Sequence, residues 1–551
     1  MKSLAMFAAA LIMCALAVSQ DHAAHNRPSQ PGPATLVTGL GDLHHPVTTS
    51  NPEAQKFFDQ GLRYLYAFNH DEATRSFERA AQLDPKLAMA YWGIAESVGP
   101  NYNDPADPDR FKRAHDAIQK AVELSGNAAP GERAYINALA KRFPADPGAD
   151  LRQAAEEAHE AMREVMKQFP DDLDAATLFA EAGMNLHPWG LWHVDGSPEL
   201  GTEEIVATLE SVLKRDPYHM GAIHYYIHAV EASPNPERAL AAANRLPSLA
   251  PAAGHLVHMP AHVYIRTGDY AAGVKANLRA AAADRAYMQA SGAQGIYPAM
   301  YYSHNLHFIA VCASMDGNYA EAKKAADMLA AHVGPMVKDM PPLEGFMTVP
   351  ITVEVRFQKW DQILASPKPD AAMKVESVFW HFARGMALAG KGKAQEAEAE
   401  YLIVKEAVDQ TPPDEIFAMP VTNRTKDVLA IAQNVLGAKI AMARNDPAAA
   451  IPMLRKAVDL QDSLKYNEPP DWFFPVRESL GAVLLLNGNA AEAEKVFRED
   501  LDRNPRNPRS LFGLGQALRA QKRDYDAHFV DKQFHDAWRG PDMNLKLQDL
   551  T

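Results

Sequence analysis

The chain has 551 residues, of which 55 are lysine or arginine and 69 are aspartate or glutamate, giving a formal net charge of −14. One ordinary globular core does not grow to this length, whereas an array of repeats does, because each unit packs only against its neighbours. The acidic balance disfavours a nucleic-acid binder, which needs a basic face for phosphates, and a protein attached to an anionic membrane surface.

Residues 1–19 have the pattern of a secretory signal peptide. Lys2 is followed by the apolar run LAMFAAALIMCALAV, and small residues stand at cleavage spacing at 15–17 and again at 17–19. A lipid on Cys14 is disfavoured because Met13 stands where a lipoprotein signal has a small residue. We therefore expect export to a periplasm or out of the cell, and no later apolar run is long enough to span a membrane.

Residues 20–50 are rich in proline, histidine, serine and glycine, including the stretch HAAHNRPSQPGPAT. This composition is typical of a flexible leader. A helical pattern begins directly after it and continues almost to the end of the chain.

The first helical stretch shares its signature residues with a stretch near the C-terminus. At identical spacings, the first carries Gly61, Ala73, Phe77 and Pro85, and the second carries Gly481, Ala493, Phe497 and Pro505. This pattern resembles the tetratricopeptide repeat (TPR), a helix–turn–helix unit of 34 residues. The resemblance implies an all-α solenoid of antiparallel helix pairs, a right-handed superhelix that binds its ligands on the concave face. Strand-like alternation is nearly absent, so we expect almost no β-sheet.

The repeats are predicted in three blocks. Residues 51–200 form the N-terminal repeats, with a loop insertion at 186–203; residues 201–345 form a central histidine-rich block; and residues 346–545 form the C-terminal repeats. The C-terminal block has few polar residues that could converge, and it is predicted to be structural.

The insertion at 186–203 contains Trp189 and Trp192 in a loop with proline and glycine. Functional groups concentrate on such loops, which favours a flap over the concave face. The alternative is an insertion that packs its own tryptophans on a hairpin. Residues 101–103 could cap the other end of the same hollow.

Seven histidines are concentrated in three segments of the central block: GAIHYYIHAVE, HLVHMPAHVYI and SHNLHFIAV. His224 and His228 precede His258 and His262 by 34 residues each, which is the period of the repeat. Residues three and four apart share one face of a helix, and the resemblance to the repeat family places these positions on the concave face. We therefore predict that the imidazoles point into one hollow.

Such a hollow could bind a metal ion. Packed helices lie about 8–10 Å apart, so imidazoles from two helices can reach an ion at bond lengths of about 2.0–2.1 Å. Histidine with carboxylate suits zinc, copper, iron or manganese, and the sequence does not choose among them. The predicted metal ligands are His224, His228, His258, His262, His304, His307 and Glu181, and the predicted ligand-binding residues around them are His255, Trp189, Trp192, Tyr225, Tyr301 and Glu231.

Pro260 stands between His258 and His262. Inside a helix, proline removes a hydrogen bond and clashes with the carbonyl four residues earlier, so a kink is expected. The kink could separate the two histidines, or it could direct His258 into the hollow.

Three functions remain open from the sequence. The first is an exported repeat protein whose concave face binds a transition metal, a small ligand, or both. The second is a metal-dependent enzyme, hydrolytic or oxidative, in which the metal activates water or oxygen; no catalytic residue is identified for it. The third is a protein–protein interaction scaffold, the usual work of the repeat family, with a peptide or protein in the groove. The oligomeric state is left open.

Overall fold

A computed structural model describes residues 33–146, 148–418, 423–540 and 545–551. The predicted signal peptide, residues 1–19, and residues 20–32 of the predicted leader lie outside the described residues.

Helices follow one another along the described chain. In the N-terminal half they are α1 (Pro52–Tyr66), α2 (His70–Leu83), α3 (Ala88–Val98), α4 (Pro108–Leu124), α5 (Pro130–Arg142), α6 (Leu151–Gln168), α7 (Leu173–Leu186), α8 (Thr202–Arg215), α9 (Met220–Glu231), α10 (Leu240–Ala243), α11 (Leu246–Leu249), α12 (Gly254–His258), α13 (Pro260–Thr267) and α14 (Tyr270–Ser291). A π-helical stretch, Tyr297–Tyr302, leads into the second half.

In the second half the helices are α15 (Ser303–Met315), α16 (Tyr319–Val333), α17 (Glu344–Met347), α18 (Val349–Arg356), α19 (Trp360–Ala365), α20 (Lys374–Gly390), α21 (Ala394–Gln410), α22 (Thr425–Ala443), α23 (Pro447–Ser463), α24 (Val476–Leu486), α25 (Ala490–Arg503), α26 (Pro508–Ala520) and α27 (Asp524–Ala537). Short 3₁₀ turns lie at Ser125–Asn127, Pro236–Ala239, Gly334–Met336, Pro341–Leu343 and Leu547–Leu550.

Successive helices pack as hairpins, such as α1 with α2, α3 with α4, α7 with α8, α15 with α16 and α26 with α27. Within the described ranges there is no β-strand, and β-type pairing is limited to isolated bridges such as Asn101 with Asp104 and Trp192 with Pro198. The prediction of an all-α, TPR-like solenoid of antiparallel helix pairs is confirmed. Among the described helices, none has the length and apolar character needed to cross a bilayer.

The signature residues lie where helices cross. A Cβ added at Gly61 or Gly93 would come within 2.6 or 2.4 Å of the Phe77 ring. Glycine is therefore required on the helices that flank this ring, and the same arrangement recurs at the other end of the chain around Phe497. Helix starts are fixed locally as well, since the side chain of Asn51 caps α1 and that of Asp172 caps α7.

The described part of the predicted leader packs against the repeats. Gln60 of α1 accepts a hydrogen bond from the Val37 amide at 2.8 Å, and the Gly39 carbonyl accepts one from the Ala252 amide at 2.9 Å. Leu40 is buried in the N-terminal core. Composition indicated flexibility in 33–50, but these hydrogen bonds and the buried leucine hold the segment against α1 and the turn before α12.

The apolar side chains form two clusters that meet at α13, one extending from Ala34 to Val263 and the other from Ala261 to Leu550. The C-terminal hairpins also return to the middle of the chain. The Tyr270 hydroxyl donates to the Pro505 carbonyl at 3.2 Å, and the Arg539 amide donates to the Asp316 carbonyl at 2.7 Å. This return brings C-terminal residues to the central histidines.

Candidate metal centre

Three consecutive first helices of hairpins bring six histidines together. His224 and His228 come from α9, His255 and His258 from α12, His262 from α13, and His304 from α15. The first five are at most 3% exposed, and His304 is half-buried. The prediction that imidazoles of neighbouring repeats point to a common interior agrees with these positions.

Pro260 interrupts the helix without separating its histidines. It begins α13 one residue after Met259, which keeps helical backbone angles and ends α12. The Nε2 atoms of His258 and His262 are 2.6 Å apart. The sequence left open whether the kink separates the two histidines. In the structure both rings face the same point.

Hydrogen bonds fix the tautomers on α9. His224 Nδ1 lies 2.7 Å from the Tyr66 carbonyl, and His228 Nδ1 lies 2.8 Å from Oε1 of Glu231. Carbonyl and carboxylate oxygens only accept hydrogen bonds, so each Nδ1 carries the proton and donates it. In the neutral ring, Nε2 is then left with a free lone pair.

The same holds on the next repeat. His258 Nδ1 is 2.6 Å from Oδ1 of Asn277, whose amide orientation is fixed because its Nδ2 donates to the Gly273 carbonyl at 2.9 Å. His262 Nδ1 faces carboxylate oxygens of Glu231 and Glu468. Four histidines therefore present Nε2 to the interior while a second set of residues orients them, as is usual for metal-binding histidines.

The Nε2 atoms converge. Those of His224 and His255 are 2.9 Å apart, and Nε2 of His228 is buried without a hydrogen-bond partner. Nε2 atoms 2.6–2.9 Å apart are joined either by one proton, as an N–H···N hydrogen bond, or by a cation that takes its place. Imidazole nitrogen is a good ligand for zinc, copper, iron and nickel.

Three groups of side chains in this region have ligand atoms within 4.8 Å of one another. They are His224, His228 and His255; His258, His262 and His304; and His228, Glu231 and His262. His255 and Glu231, predicted as neighbours of the metal, thus lie within these groups.

Electrostatics keep most of these rings neutral. Burial lowers the pKa of His224, His255 and His258 well below the ordinary value, and nearby histidines lower it further. His304 is affected in the same direction by the same causes. Neutral imidazole is the form that binds metal ions, so these rings are competent ligands at neutral pH.

His262 differs because two carboxylates face it. Burial alone would lower its pKa, but Glu231 and Glu468 outweigh burial and raise the pKa to about 10. Burial raises the pKa of Glu468 to about 8, helped by the charge of Glu231 and opposed by His262. A metal ion at Nε2 of His262 therefore has to displace a proton.

Glu468 was missed in the sequence. It lies in the loop between α23 and α24, is 4% exposed, and places Oε2 at 2.5 Å from Nδ1 of His262. The sequence predicts a structural C-terminal block, and this loop of the block places a carboxylate against the central histidines. No local motif marks Glu468, because its role depends on the return of the C-terminal hairpins.

A cavity with about 120 Å³ of free space for water-sized molecules adjoins the histidines. A single water needs roughly 10–15 Å³ by this measure, so several waters or a small organic molecule fit. His228, His255, His262 and His304 line one end. Much of the remaining wall is apolar, with the side chains Met300, Phe346, Val349, Phe379, Phe417, Trp472 and Phe473.

The loop that carries Trp189 closes one side of this cavity. The Trp189 indole donates to Oδ1 of Asn103 at 3.1 Å, and Nδ2 of Asn103 donates to the Tyr301 hydroxyl at 3.2 Å. Trp189 also stacks on Tyr102, and Tyr301 meets the His255 ring edge-on at 5.0 Å. Trp192 instead donates to the Ala229 carbonyl at 2.8 Å and anchors the loop on α9. The loop thus combines features of both alternatives from the sequence: Trp189 covers the cavity, and Trp192 packs on a hairpin.

Three predicted residues lie apart from the converging nitrogens. Glu181 accepts from the Asn185 side chain and lies near the charges of Glu96 and Arg142, because α7 turns it toward the preceding repeats. His307 packs edge-on against Phe346 at 5.5 Å in the apolar part of the cavity.

Tyr225 is fully buried and packs against Tyr66 and Phe68, beside the ring of His224 and not among the converging nitrogens. Among the described residues, none of these three belongs to a group with metal-ligand spacing. The periodicity of the repeat alone could not separate these residues from their neighbours, since one helix turn carries both sets.

A fourth group with suitable spacing, His45, Asp172 and Asp174, lies outside the cavity. Asp174 accepts from the Tyr66 hydroxyl at 2.6 Å and faces His45 Nδ1 at 2.8 Å and His219 Nε2 at 3.2 Å. This network connects residues 33–50 to α1 and α9. Hydrogen bonds among its own side chains explain why these residues lie close together, so no metal ion is needed to explain the group.

No family model matches this chain, and no curated protein sequence matches it. Among solved structures, the human IFIT1 dimer with m7Gppp-AAAA is 12% identical over 89% of this chain and 95% of that chain, with a TM-score of 0.35. The APC/C hetero-tetramer Cut9–Hcn1 is 13% identical over 84% and 76%, at 0.31, and yeast Tom70 is 14% identical over 90% and 94%, at 0.27. These values describe a distant likeness in helical architecture.

Proposed function

We propose that this protein binds a transition-metal ion in the buried histidine cluster of its TPR-like solenoid. The observation that carries the proposal is the orientation of the imidazoles. His224, His228, His258 and His262 all donate through Nδ1 to fixed acceptors and turn Nε2 inward. The rings of His224, His228 and His258 are neutral and each offers a free lone pair. At His262 a cation displaces the proton that the charges of Glu231 and Glu468 favour, so the cluster is a site that a cation stabilises.

An open peptide-binding groove fits this geometry less well. A peptide on a concave surface is read by side chains that reach solvent, whereas His224 and His258 are fully buried. Their ring nitrogens meet other histidines or interior carbonyl oxygens. A protein partner would therefore have to use a different surface of the solenoid.

The direct test is metal content. Protein purified without chelators is analysed for zinc, copper, iron, nickel and manganese, and the apoprotein is titrated with each metal. We expect tight, saturable binding that is lost in the double variant His228→Ala/His262→Ala. His528→Ala, which removes an exposed histidine of α27, is the matched control and retains binding. Apoprotein that binds none of these metals contradicts the proposal.

A metal-dependent enzyme is the second candidate, and the cavity favours it. The cavity places a mainly apolar wall beside four of the histidines, and Trp189 and Asn103 cover one side of it. Small-molecule sites have this character, with an enclosed apolar lining and a few polar groups at one end. The metal would supply Lewis acidity or redox chemistry there, and the buried carboxyl group of Glu468, which lines the cavity beside His262, would accept or donate a proton.

This candidate is tested with Glu468→Gln, which keeps the shape of the side chain and removes its titration. If the protein is an enzyme on a small apolar substrate, this variant keeps the metal and loses turnover. Unchanged turnover would remove Glu468 from the chemistry.

We further propose that the protein is exported to the periplasm or secreted. The support is the lysine, apolar run and small residues of 1–19. Fractionation of cells that express the full chain tests the proposal, because export predicts a mature protein shortened at its N-terminus and absent from the cytoplasm.

A further inference from the structure

We propose that the cluster comprises two adjacent three-histidine sites that bind a pair of transition-metal ions. Site A is His224, His228 and His255, and site B is His258, His262 and His304. The inference rests on the proposed metal-binding function and adds the number of ions and their distribution.

One ion cannot serve both sites. At a bond length of about 2.1 Å, two nitrogens on the same ion are at most about 4.2 Å apart. Ligand atoms lie within 4.8 Å of one another inside each triad, yet the two triads do not merge into one such group. Ring centroids are 4.6 to 6.1 Å apart inside the triads, and 5.4 and 5.8 Å apart across the boundary for His228 with His262 and His255 with His258. The grouping of the ligand atoms, and not the spacing of the rings, therefore distinguishes the two sites. The sites are therefore neighbours with separate centres.

The nitrogen spacing in site A suits one ion bound by its three histidines. Two nitrogens bound at about 2.05 Å and at right angles are about 2.9 Å apart, and tetrahedral ligands are somewhat further apart. In site A, Nε2 of His224 and Nε2 of His255 are 2.9 Å apart, and Nε2 of His228 has no other partner. In site B, Nε2 of His258 and Nε2 of His262 are 2.6 Å apart, so these two rings have to move slightly apart to bind one ion, and His304 meets His258 edge-on with centroids 4.7 Å apart.

Glu231 connects the two sites. Its Oε1 accepts from His228 Nδ1 in site A, and its Oε2 accepts from His262 Nδ1 in site B. One carboxylate thus orients a ligand of each ion and increases the basicity of both rings. Because Glu231 accepts hydrogen bonds from Nδ1 of both His228 and His262, we treat the group of these three residues as a connection between the two sites and not as a third metal site.

Two buried carboxylates near the boundary between the sites favour the binding of cations. Isolated charge is costly to bury unless opposite charge accompanies it. Glu231 and Glu468 are both buried against His262, and neither oxygen of Glu468 makes a well-aligned hydrogen bond. Besides the histidines, the guanidinium of Arg266 interacts electrostatically with both carboxylates. Two carboxylates at the boundary between the sites therefore offset part of the charge that a second ion brings.

Both sites open on the same cavity. His228 and His255 of site A, and His262 and His304 of site B, contribute to its wall. Three protein ligands leave a position free on each ion, as in catalytic metal sites. A small molecule in the cavity can therefore contact both ions at once.

The first test is stoichiometry. Apoprotein is titrated with Zn²⁺, and separately with Cu²⁺, and the bound metal is counted after removal of excess. We expect two ions per chain in the wild type and one in His224→Ala or in His304→Ala. His307→Ala is the matched control, because His307 lines the same cavity one helical turn from His304 yet belongs to neither site; it retains two ions.

The second test uses the unmutated chain, so that a folding defect cannot obscure the result. The electron paramagnetic resonance spectrum is recorded with one and with two equivalents of Cu²⁺. Two adjacent ions couple, so the second equivalent should yield less than two spins of signal intensity or a half-field transition.

The outcomes separate the two proposals. Saturation at one ion, or two ions with no coupling, overturns the paired site and leaves metal binding intact. Binding of no ion overturns both. Two coupled ions, each lost with its own triad, support the inference.

Discussion

Single side chains around the histidines set their orientation, and Glu231 illustrates this at the smallest scale. Its two oxygens accept from His228 and His262. Glu231→Gln replaces one acceptor with an amide that donates, so one ring turns its lone pair away from the interior.

For Glu231→Gln we expect metal affinity to fall about 10- to 100-fold, which is usual when a residue that orients a ligand is changed. Competition with a chromophoric chelator measures the loss. Glu203→Gln, on the exposed face of α8, is the control and leaves affinity unchanged. Wild-type affinity in Glu231→Gln would show that the carboxylate does not orient the ligands.

Asp284 is a buried acid of α14 that the metal centre does not use. It accepts from the Tyr297 hydroxyl at 2.9 Å and from the Asn305 amide at 2.6 Å, and a Cβ at Gly254 would clash with it. Burial raises its pKa to about 7, while these hydrogen bonds and Arg285 oppose the rise. The native state therefore binds a proton that the unfolded chain releases between about pH 4 and 7, so this residue reduces stability as pH rises.

Asp284→Asn should remove the loss of stability that Asp284 causes as pH rises. Relative to the wild type, its free energy of unfolding should increase from pH 5 to pH 8, by up to about 1.4 kcal/mol for each unit of pKa shift. Urea denaturation at the two pH values measures the difference. Asp109→Asn, an exposed change at the start of α4, should show no such trend. A pH-independent difference for Asp284→Asn would contradict the assignment.

At the scale of helices, packing at the crossings follows the signature residues. Gly93→Ala would place a methyl group 2.4 Å from the Phe77 ring, which is enclosed from the other side by Gly61. Overpacking of this kind costs about 1–3 kcal/mol.

We therefore expect Gly93→Ala to lower the free energy of unfolding by that amount, as measured with urea. Gly126→Ala is the control, since a Cβ there meets nothing within 4 Å. If the two variants were equally stable, close approach at Phe77 would not limit this crossing.

The helices and their pairing were predictable because they depend on local information. Phe77 and Phe497 stand at the same place in their repeats, and caps such as Asn51 act within one turn. The histidines were predictable for the same reason, since an interval of 34 residues places His224 and His258 equivalently. The sequence could not predict that His304, and not His307, lies beside the other histidines. Both residues lie on one side of α15, and only contacts with neighbouring helices distinguish them.

For the whole molecule, the site depends on contacts between distant parts of the chain. Glu468 reaches His262 only because the C-terminal hairpins return, as the contact of Tyr270 with Pro505 demonstrates. Asn103 and Trp189 likewise meet from different hairpins. Such contacts follow from the curvature of the solenoid, which small rotations at every hairpin determine together, and no single segment encodes them.

A bound metal should stabilise the whole chain, because its ligands come from three hairpins. A ligand that binds the native state alone adds about 2.7 kcal/mol at 100 times its dissociation constant. We expect chelators to lower the melting temperature of the holoprotein and added metal to restore it. The double variant His228→Ala/His262→Ala should melt at the same temperature with and without metal. A metal-dependent shift in that variant would place the binding elsewhere.

The most direct measurement is a crystal structure of the metal-loaded protein, with anomalous diffraction at the absorption edge of the metal. We expect anomalous density among the histidines of α9, α12, α13 and α15, about 2.0–2.1 Å from their Nε2 atoms. Loaded crystals with no anomalous density there, in which Nε2 atoms contact only each other or water, would contradict it.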